Sequence, residues 1–327
     1  CGILPCYKGV VERSQGGIMS LSVCCQWIEP RTKRDGTVVY ENVIDEKLLQ
    51  LGAYKNGKYS RERVLETYRG NVKEVLRTIP YLVQNNIKSF RLSSSLFPLY
   101  EFCGEIARSD SVIQQDLKTA GQLFLQHNIR VTCHPGQFCV ISSDKQSVID
   151  NSIKELEYHA YIFDSMGLPA TPYYAINIHG GKGDRSEKII EVYQTLPENI
   201  KNRLTLENDE KCYNVRQLLA ISERTSIPVV FDSHHYSFGM DDLSFDDAFT
   251  EAVASWGSIK PLQHLSNTEI GMENASYNQR RAHSEMIRYI PDLQLQAARN
   301  DTIDLDVEAK LKNIAVLQMR KEFGITC

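Results

Sequence analysis

Short apolar runs separated by amphipathic stretches organise this chain. Runs over 21–26, 89–92, 130–134, 174–179, 203–207, 229–232, 260–264 and 302–308 have the length and composition of strands. Between them, apolar residues recur at helical spacing. Over 61–85, Val64, Leu65, Tyr68, Val72, Val75, Leu76 and Ile79 share one face at i, i+3, i+4 intervals. The stretches 147–166, 186–196, 215–224 and 245–256 behave similarly. Strands alternating with helices across mostly short turns predict a parallel sheet. Eight repeats predict closure, because a closed sheet has no edge strand to protect. The expected architecture is a single α/β domain, a (β/α)8 TIM barrel, and 327 residues suit one such unit.

Two connections are long and polar: 29–60, with Arg31, Lys33, Arg34, Tyr54 and Tyr59, and 266–281, ending in Arg280 and Arg281. On a barrel, the loops after strands one and seven rise over the mouth, where cationic and tyrosine donors suit phosphate oxygens. Residues 1–18 lack periodicity and Met19 directly precedes the first apolar run. The expectation is that 1–18 form a non-native or disordered extension and 19–327 the barrel domain. No apolar run of about 18 residues predicts a transmembrane helix, and no signal-peptide pattern is present. Nine cysteines, an odd number without a Cys-x-x-Cys pair, read as thiols of a reducing, cytoplasmic setting. The net charge of −4 carries no nucleic-acid signature by itself.

Metal-binding residue types gather where apolar runs meet glycine-rich or polar turns. VTCHPGQ carries His134, AINIHGG carries His179, and RLTLENDE carries Glu207. PVVFDSHH supplies Asp232 and His235, KPLQHLS supplies His264, RRAHSE supplies His283 and TIDLDVEAK supplies Glu308. Imidazole and carboxylate are the ligands that borderline-hard divalent cations prefer. At the same end of successive strands they point into one cavity, a metal cluster at the C-terminal mouth of the barrel. His127 and His159 fall in helical stretches and are expected on the surface or in packing, while His234 points away from its neighbour His235. Asn208 and Asp209 follow Glu207 and are positioned to orient ligands.

Taken in order, HPGQF (134–138), NIHGG (177–181), LENDE (206–210), FDSHH (231–235), QHLS (263–266), AHSE (282–285) and VEAK (307–310) resemble the UV damage endonucleases. These belong to a wider group of metal-dependent barrel nucleases that includes endonuclease IV. RLSSSLFPL (91–99) and CCQW (24–27) are similar to the phage-encoded branch in particular. The resemblance runs from about Met19 to Phe323. It implies a DNA repair enzyme that nicks the backbone 5′ to UV photoproducts or other lesions by metal-activated water, acting as a monomer on damaged double-stranded DNA.

The same resemblance implies three divalent ions, usually Mn2+, with Zn2+, Co2+ or Fe2+ chemically acceptable. One would be held by His134, His179 and Glu207, with Glu207 bridging to a second that also takes Asp232, His264 and Glu308. A third would take His235 and His283. Glu207 and Lys310 carry the catalytic expectation. Gln137, Phe138, Trp27, Arg91, Lys182, Arg280 and Arg281 carry the DNA and lesion contacts. Three divalent ions would add about six positive charges to the cleft, so the modest net charge does not oppose DNA binding.

Departures from the family pattern fall on lesion reading. Where the family has Gln then Tyr after the HPG turn, this chain has Gln137 and Phe138. Phenylalanine can wedge between bases but donates no hydrogen bond. The family's Tyr and Asn near strand one are replaced by the run Val23-Cys24-Cys25-Gln26-Trp27, in which Trp27 offers a stacking surface. Tyr100-Glu101-Phe102 occupy the neighbourhood of a family histidine, and Leu262 or Gln263 that of a modifiable lysine. Two alternatives keep the fold: an abasic-site endonuclease of the endonuclease IV type, and a xylose-isomerase-like sugar isomerase. The latter needs a catalytic lysine and a carboxylate-rich two-metal site, which this histidine-rich set disfavours.

Overall fold

The computed structural model describes residues 21–325, so the extension expected over 1–18 lies outside the described residues. Its strands are β1 (Leu21–Cys24), β2 (Ile28–Thr32), β3 (Val38–Asn42), β4 (Ser89–Leu92), β5 (Arg130–Cys133), β6 (Ile176–His179), β7 (Leu204–Glu207), β8 (Val229–Val230), β9 (Leu262–Leu265) and β10 (Asp304–Val307). Eight of them pair in parallel in the order β8-β7-β6-β5-β4-β1-β10-β9. The two ends of that order meet. Asp232, just past β8, bridges His264 of β9, and the His264 N–H donates to the Phe231 carbonyl at 3.0 Å. The Phe231 N–H donates to the Gln263 side chain at 2.6 Å, completing the seam. The expected barrel is formed.

Strand residues alternate between two environments. Val23, Phe90, Val131, Ile178, Leu206 and Val307 join the apolar layer shared with the surrounding helices. The alternate set faces inward and is polar although buried: Arg91, Thr132, Asn177, Thr205, His264 and Asp306. Buried polar groups are costly unless paired, and the charged ones here are paired. Arg130 Nη1 lies 2.9 Å from Asp304 Oδ2, and Arg91 Nε lies 2.6 Å from Asp306 Oδ2. Several helices start on side-chain caps: Ser60 accepts from the Arg63 N–H, Asp110 from Ile113, and Asn214 with Gln217 forms a capping box.

Two details differ from the sequence expectation. The first strand stops at Cys24 rather than at 26, because Cys25 turns into the left-handed region at φ +64°. The stretch 29–60 is not simply a loop: β2 and β3 form an antiparallel hairpin from Ile28↔Asn42 to Thr32↔Val38. Its turn contains Asp35 and Gly36, the latter at φ +83°, and Lys33 N–H donates to Thr37 O at 2.8 Å. No helix among the described residues is long and apolar enough to cross a membrane. Cys24, Cys25, Cys103, Cys133, Cys139 and Cys212 are free thiols.

Candidate metal centre

Strand register assembles the cluster. His179 and Glu207 are Cα partners across β6 and β7, Asp232 is bridged to His264, and the Glu308 N–H donates to Leu265 O at 2.9 Å. His134 follows β5 directly. Three groups of side chains thus bring ligand atoms within 4.8 Å of one another: His134, His179 and Glu207; Glu207, Asp232 and His235; Asp232, His264 and Glu308. Glu207 and Asp232 each belong to two groups, so the three are contiguous.

Glu207 is the hub. Its Oε2 accepts from Asn177 Nδ2 at 2.5 Å and lies 3.1 Å from His134 Nε2, while Oε1 lies 3.0 Å from His264 Nδ1. Asn177 is itself held by Thr205, whose hydroxyl donates to Asn177 Oδ1 at 2.8 Å. His134 Nδ1 lies 2.9 Å from the Pro135 carbonyl; a proton on Nδ1 would leave Nε2 free to face the carboxylates. Asn208 grips the Asp232 backbone from both sides, accepting from its N–H at 2.8 Å and donating to its carbonyl at 3.1 Å. Asp209 instead shapes its loop, accepting from the Lys211 and Cys212 N–H groups.

The donor set fits divalent cations. Three carboxylates, Glu207, Asp232 and Glu308, are buried beside one another, an arrangement that requires compensating positive charge. Asp232 Oδ1 caps a short helix by accepting the His235 N–H at 2.7 Å, but Asp232 Oδ2 and His179 Nδ1 are buried without a hydrogen-bond partner among the described residues. Such orphaned atoms call for a ligand.

Several expected site residues lie elsewhere or are differently engaged. Arg91 is buried in the barrel interior rather than exposed to DNA: Nη1 lies 2.5 Å from Glu308 Oε1, and Nη2 3.1 Å from His264 Nε2. Trp27 stacks on Tyr81 of the outer helix Arg61–Gln84 at 4.1 Å and 15°, so one ring face is covered by the helix layer and cannot receive an extruded base. Arg281 is committed to Glu210 rather than free for phosphate. His283 approaches Glu308, at 3.3 Å, and forms no three-residue group with His235. Lys182 pairs with Asp144, which Arg185 also meets at 2.8 Å; these exposed pairs are weak enough for phosphate to displace. Arg280 packs over the Phe238 ring at 5.4 Å. Lys310 is exposed and makes no ion pair among the described residues.

Gln137 and Phe138 sit at an exposed turn closed by the Cys139 N–H donating to Gly136 O at 2.9 Å, and Phe138 is 83% exposed. The Gly180-Gly181 pair has a packing reason: a Cβ on Gly180 would strike the Tyr213 ring, and Gly181 is at φ +86°. Sequence reasoning missed Glu210, Asp306 and the inward role of Arg91. Asp304, Asp306 and Glu308 at every second position of one strand were the available signal.

Without cations, the carboxylates favour protonation of two of the cluster's histidines, whereas burial disfavours it at His179. Burial depresses His235, but Asp232, Glu210 and Glu207 outweigh it and raise its pKa to about 10. His264 is likewise raised against burial, chiefly by Glu207, to about 9. Burial favours a neutral Glu210, yet contact with His235 brings it down to about 2. Raised histidines stabilise the fold below their ordinary 6.5 and lose that contribution as pH climbs through about 9 to 10. The depressed Glu210 contributes above 4.5 and loses its contribution towards about 2. The metal-free protein is therefore expected to melt at lower temperature as pH rises from 6.5 to about 10. Bound cations, which need unprotonated imidazoles, should offset the loss. Thermal melts of chelated and cation-loaded protein check this; a metal-free melting temperature that is flat across the window contradicts protonated His235 and His264.

A family model, curated relatives and one solved structure point to the same family. Residues 37–325 match the family model described as UV-endonuclease UvdE. The chain is 37% identical over 262 residues to the UV DNA damage endonuclease of Nostoc sp., covering 78% of each protein. It is 34% identical over 266 residues to that of Deinococcus radiodurans, covering 79% of this chain and 84% of the other. The crystal structure of SacUVDE matches with a TM-score of 0.77 at 27% identity, covering 94% of this chain and 99% of that one.

Proposed function

The chain belongs to the UV-endonuclease UvdE family, and from that premise we propose that it nicks damaged duplex DNA on the 5′ side of UV photoproducts, using divalent cations bound by its histidine–carboxylate cluster. The observation that carries this reading is the contiguity of three ligand groups through Glu207 and Asp232. Cations bound there would activate water for attack on phosphorus and stabilise the charge that develops on the phosphate oxygens. Manganese is the ion we propose, with zinc, cobalt or iron(II) acceptable to the same donors.

The protein's own part is to hold, orient and admit. His134, His179 and Glu207 would hold one ion, and Glu207 would share itself with a second held by Asp232, His264 and Glu308. His235, beside Glu207, and His283, beside Glu308, would complete a third. Asn177 holds the Glu207 carboxylate and Asn208 holds the Asp232 backbone, so that little reorganisation is needed when charge develops. Lys310, exposed and unpaired beside Glu308, supplies a mobile cation for the scissile or an adjacent phosphate. Gln137 and Phe138 project from the turn after His134 and would enter the duplex at the lesion.

Duplexes carrying a UV photoproduct, an abasic site or no lesion test the reading, each incubated with chelated protein before and after manganese is restored. We expect nicking only after manganese addition, 5′ to the photoproduct, leaving 3′-hydroxyl and 5′-phosphate ends. Cleavage of abasic DNA with sparing of photoproducts would replace this reading by an abasic-site endonuclease. Full activity in chelator would remove the cations from the mechanism.

A further inference from the structure

One carboxylate at the cluster's edge has no place in the ligand set. The Glu210 side chain is 1% exposed, and its two oxygens face different structures. Oε2 lies 2.6 Å from His235 Nδ1, whereas Oε1 contacts Arg281 Nε. Arg281 ends the short helix Tyr277–Arg281 in the long connection after β9, here termed the roof. Tyr277 of the same helix donates its hydroxyl to the Glu210 carbonyl at 3.2 Å, and the Arg281 guanidinium lies 5.9 Å from the Tyr277 ring. The roof is therefore fastened to the loop after β7 through the residue that also touches His235.

We infer that Glu210 is a positioning residue that couples the roof, residues 266–284, to cation binding at His235. The inference rests on the proposed metal centre. A neutral imidazole carries one ring proton. With that proton on Nδ1 facing Glu210, the lone pair of Nε2 is directed toward the cluster, where it lies 3.8 Å from Glu207 Oε1. Arg281 sets where Glu210 sits, so the roof's position governs how well His235 is aimed. Linkage makes the effect reciprocal: a cation that fixes His235 steadies the roof, and an ordered roof strengthens cation binding.

Glu210→Gln and Arg281→Ala test the coupling on the full chain. Hydrogen–deuterium exchange across 266–284 is compared with and without manganese, alongside manganese titration. Wild type is expected to show slower roof exchange when loaded. Glu210→Gln should lose that manganese-dependent protection and weaken one manganese site by about tenfold, the usual cost of removing a ligand's outer partner. Arg281 is about one-third exposed, so its truncation should leave folding intact. Arg281→Ala should also lose the protection, with a smaller change in manganese affinity. Retention of wild-type protection and affinity in both variants overturns the coupling and leaves Glu210 a static brace. A wild type that binds no manganese overturns the metal centre itself, an outcome distinguishable because it precedes any mutation.

Discussion

Glu207→Ala is expected to abolish nicking, by about a thousandfold or more, while the barrel still folds. A thousandfold corresponds to about 4 kcal/mol of lost transition-state stabilisation. Glu207 is shared by two of the three ligand groups, so one truncation disrupts both. The side chain is hydrogen-bonded and buried, but it contacts polar neighbours, Asn177, His134 and His264, rather than the apolar layer beneath the helices. Its removal should lower manganese stoichiometry and leave a cooperative thermal transition. Glu207→Gln keeps the shape and the contact surface but weakens the donor set, and should show most of the same loss. Near-normal turnover with normal manganese content in either variant would mean that the reaction centre lies elsewhere.

Phe138→Ala is expected to slow cleavage of UV photoproducts by at least tenfold, about 1.4 kcal/mol, with a smaller loss on abasic DNA. Unstacking a base step costs a few kcal/mol, and a wedge that fills the vacated stack recovers part of it. An abasic site has already lost one base and asks less of the wedge. Phe138 is 83% exposed, so truncation removes no core packing and the melting temperature should not change. The buried Cys139 next to it anchors the turn instead. Phe138→Tyr should be tolerated. Cleavage rates on the two substrates, with a thermal melt of each variant, decide the matter. Equal losses on both substrates together with a lowered melting temperature would make Phe138 a packing residue.

The barrel and the outline of its mouth were legible because both follow from periodicity. Period-two strands alternating with period-3.6 helices require a parallel closed sheet, and a ligand at each strand end must then face the same opening. What escaped depends on neighbours brought together from distant parts of the chain. Arg91 reads as a strand-end cation suited to phosphate, but its inward register sets it against Asp306 and Glu308, far away in sequence. Trp27 reads as a free aromatic platform until Tyr81 stacks on it. Arg281 reads as a surface cation until a buried Glu210 takes it. The hairpin β2–β3 was hidden by exposure on both faces: without a buried side, strand alternation leaves little trace in polarity.

Anomalous diffraction at the manganese edge, from crystals loaded with manganese, tests the central claim most directly. The account predicts peaks in contact with Glu207, one flanked by His134 and His179 and another by Asp232, His264 and Glu308. Crystals of protein active in solution that show no anomalous density at Glu207, or density only at other residues, would contradict it.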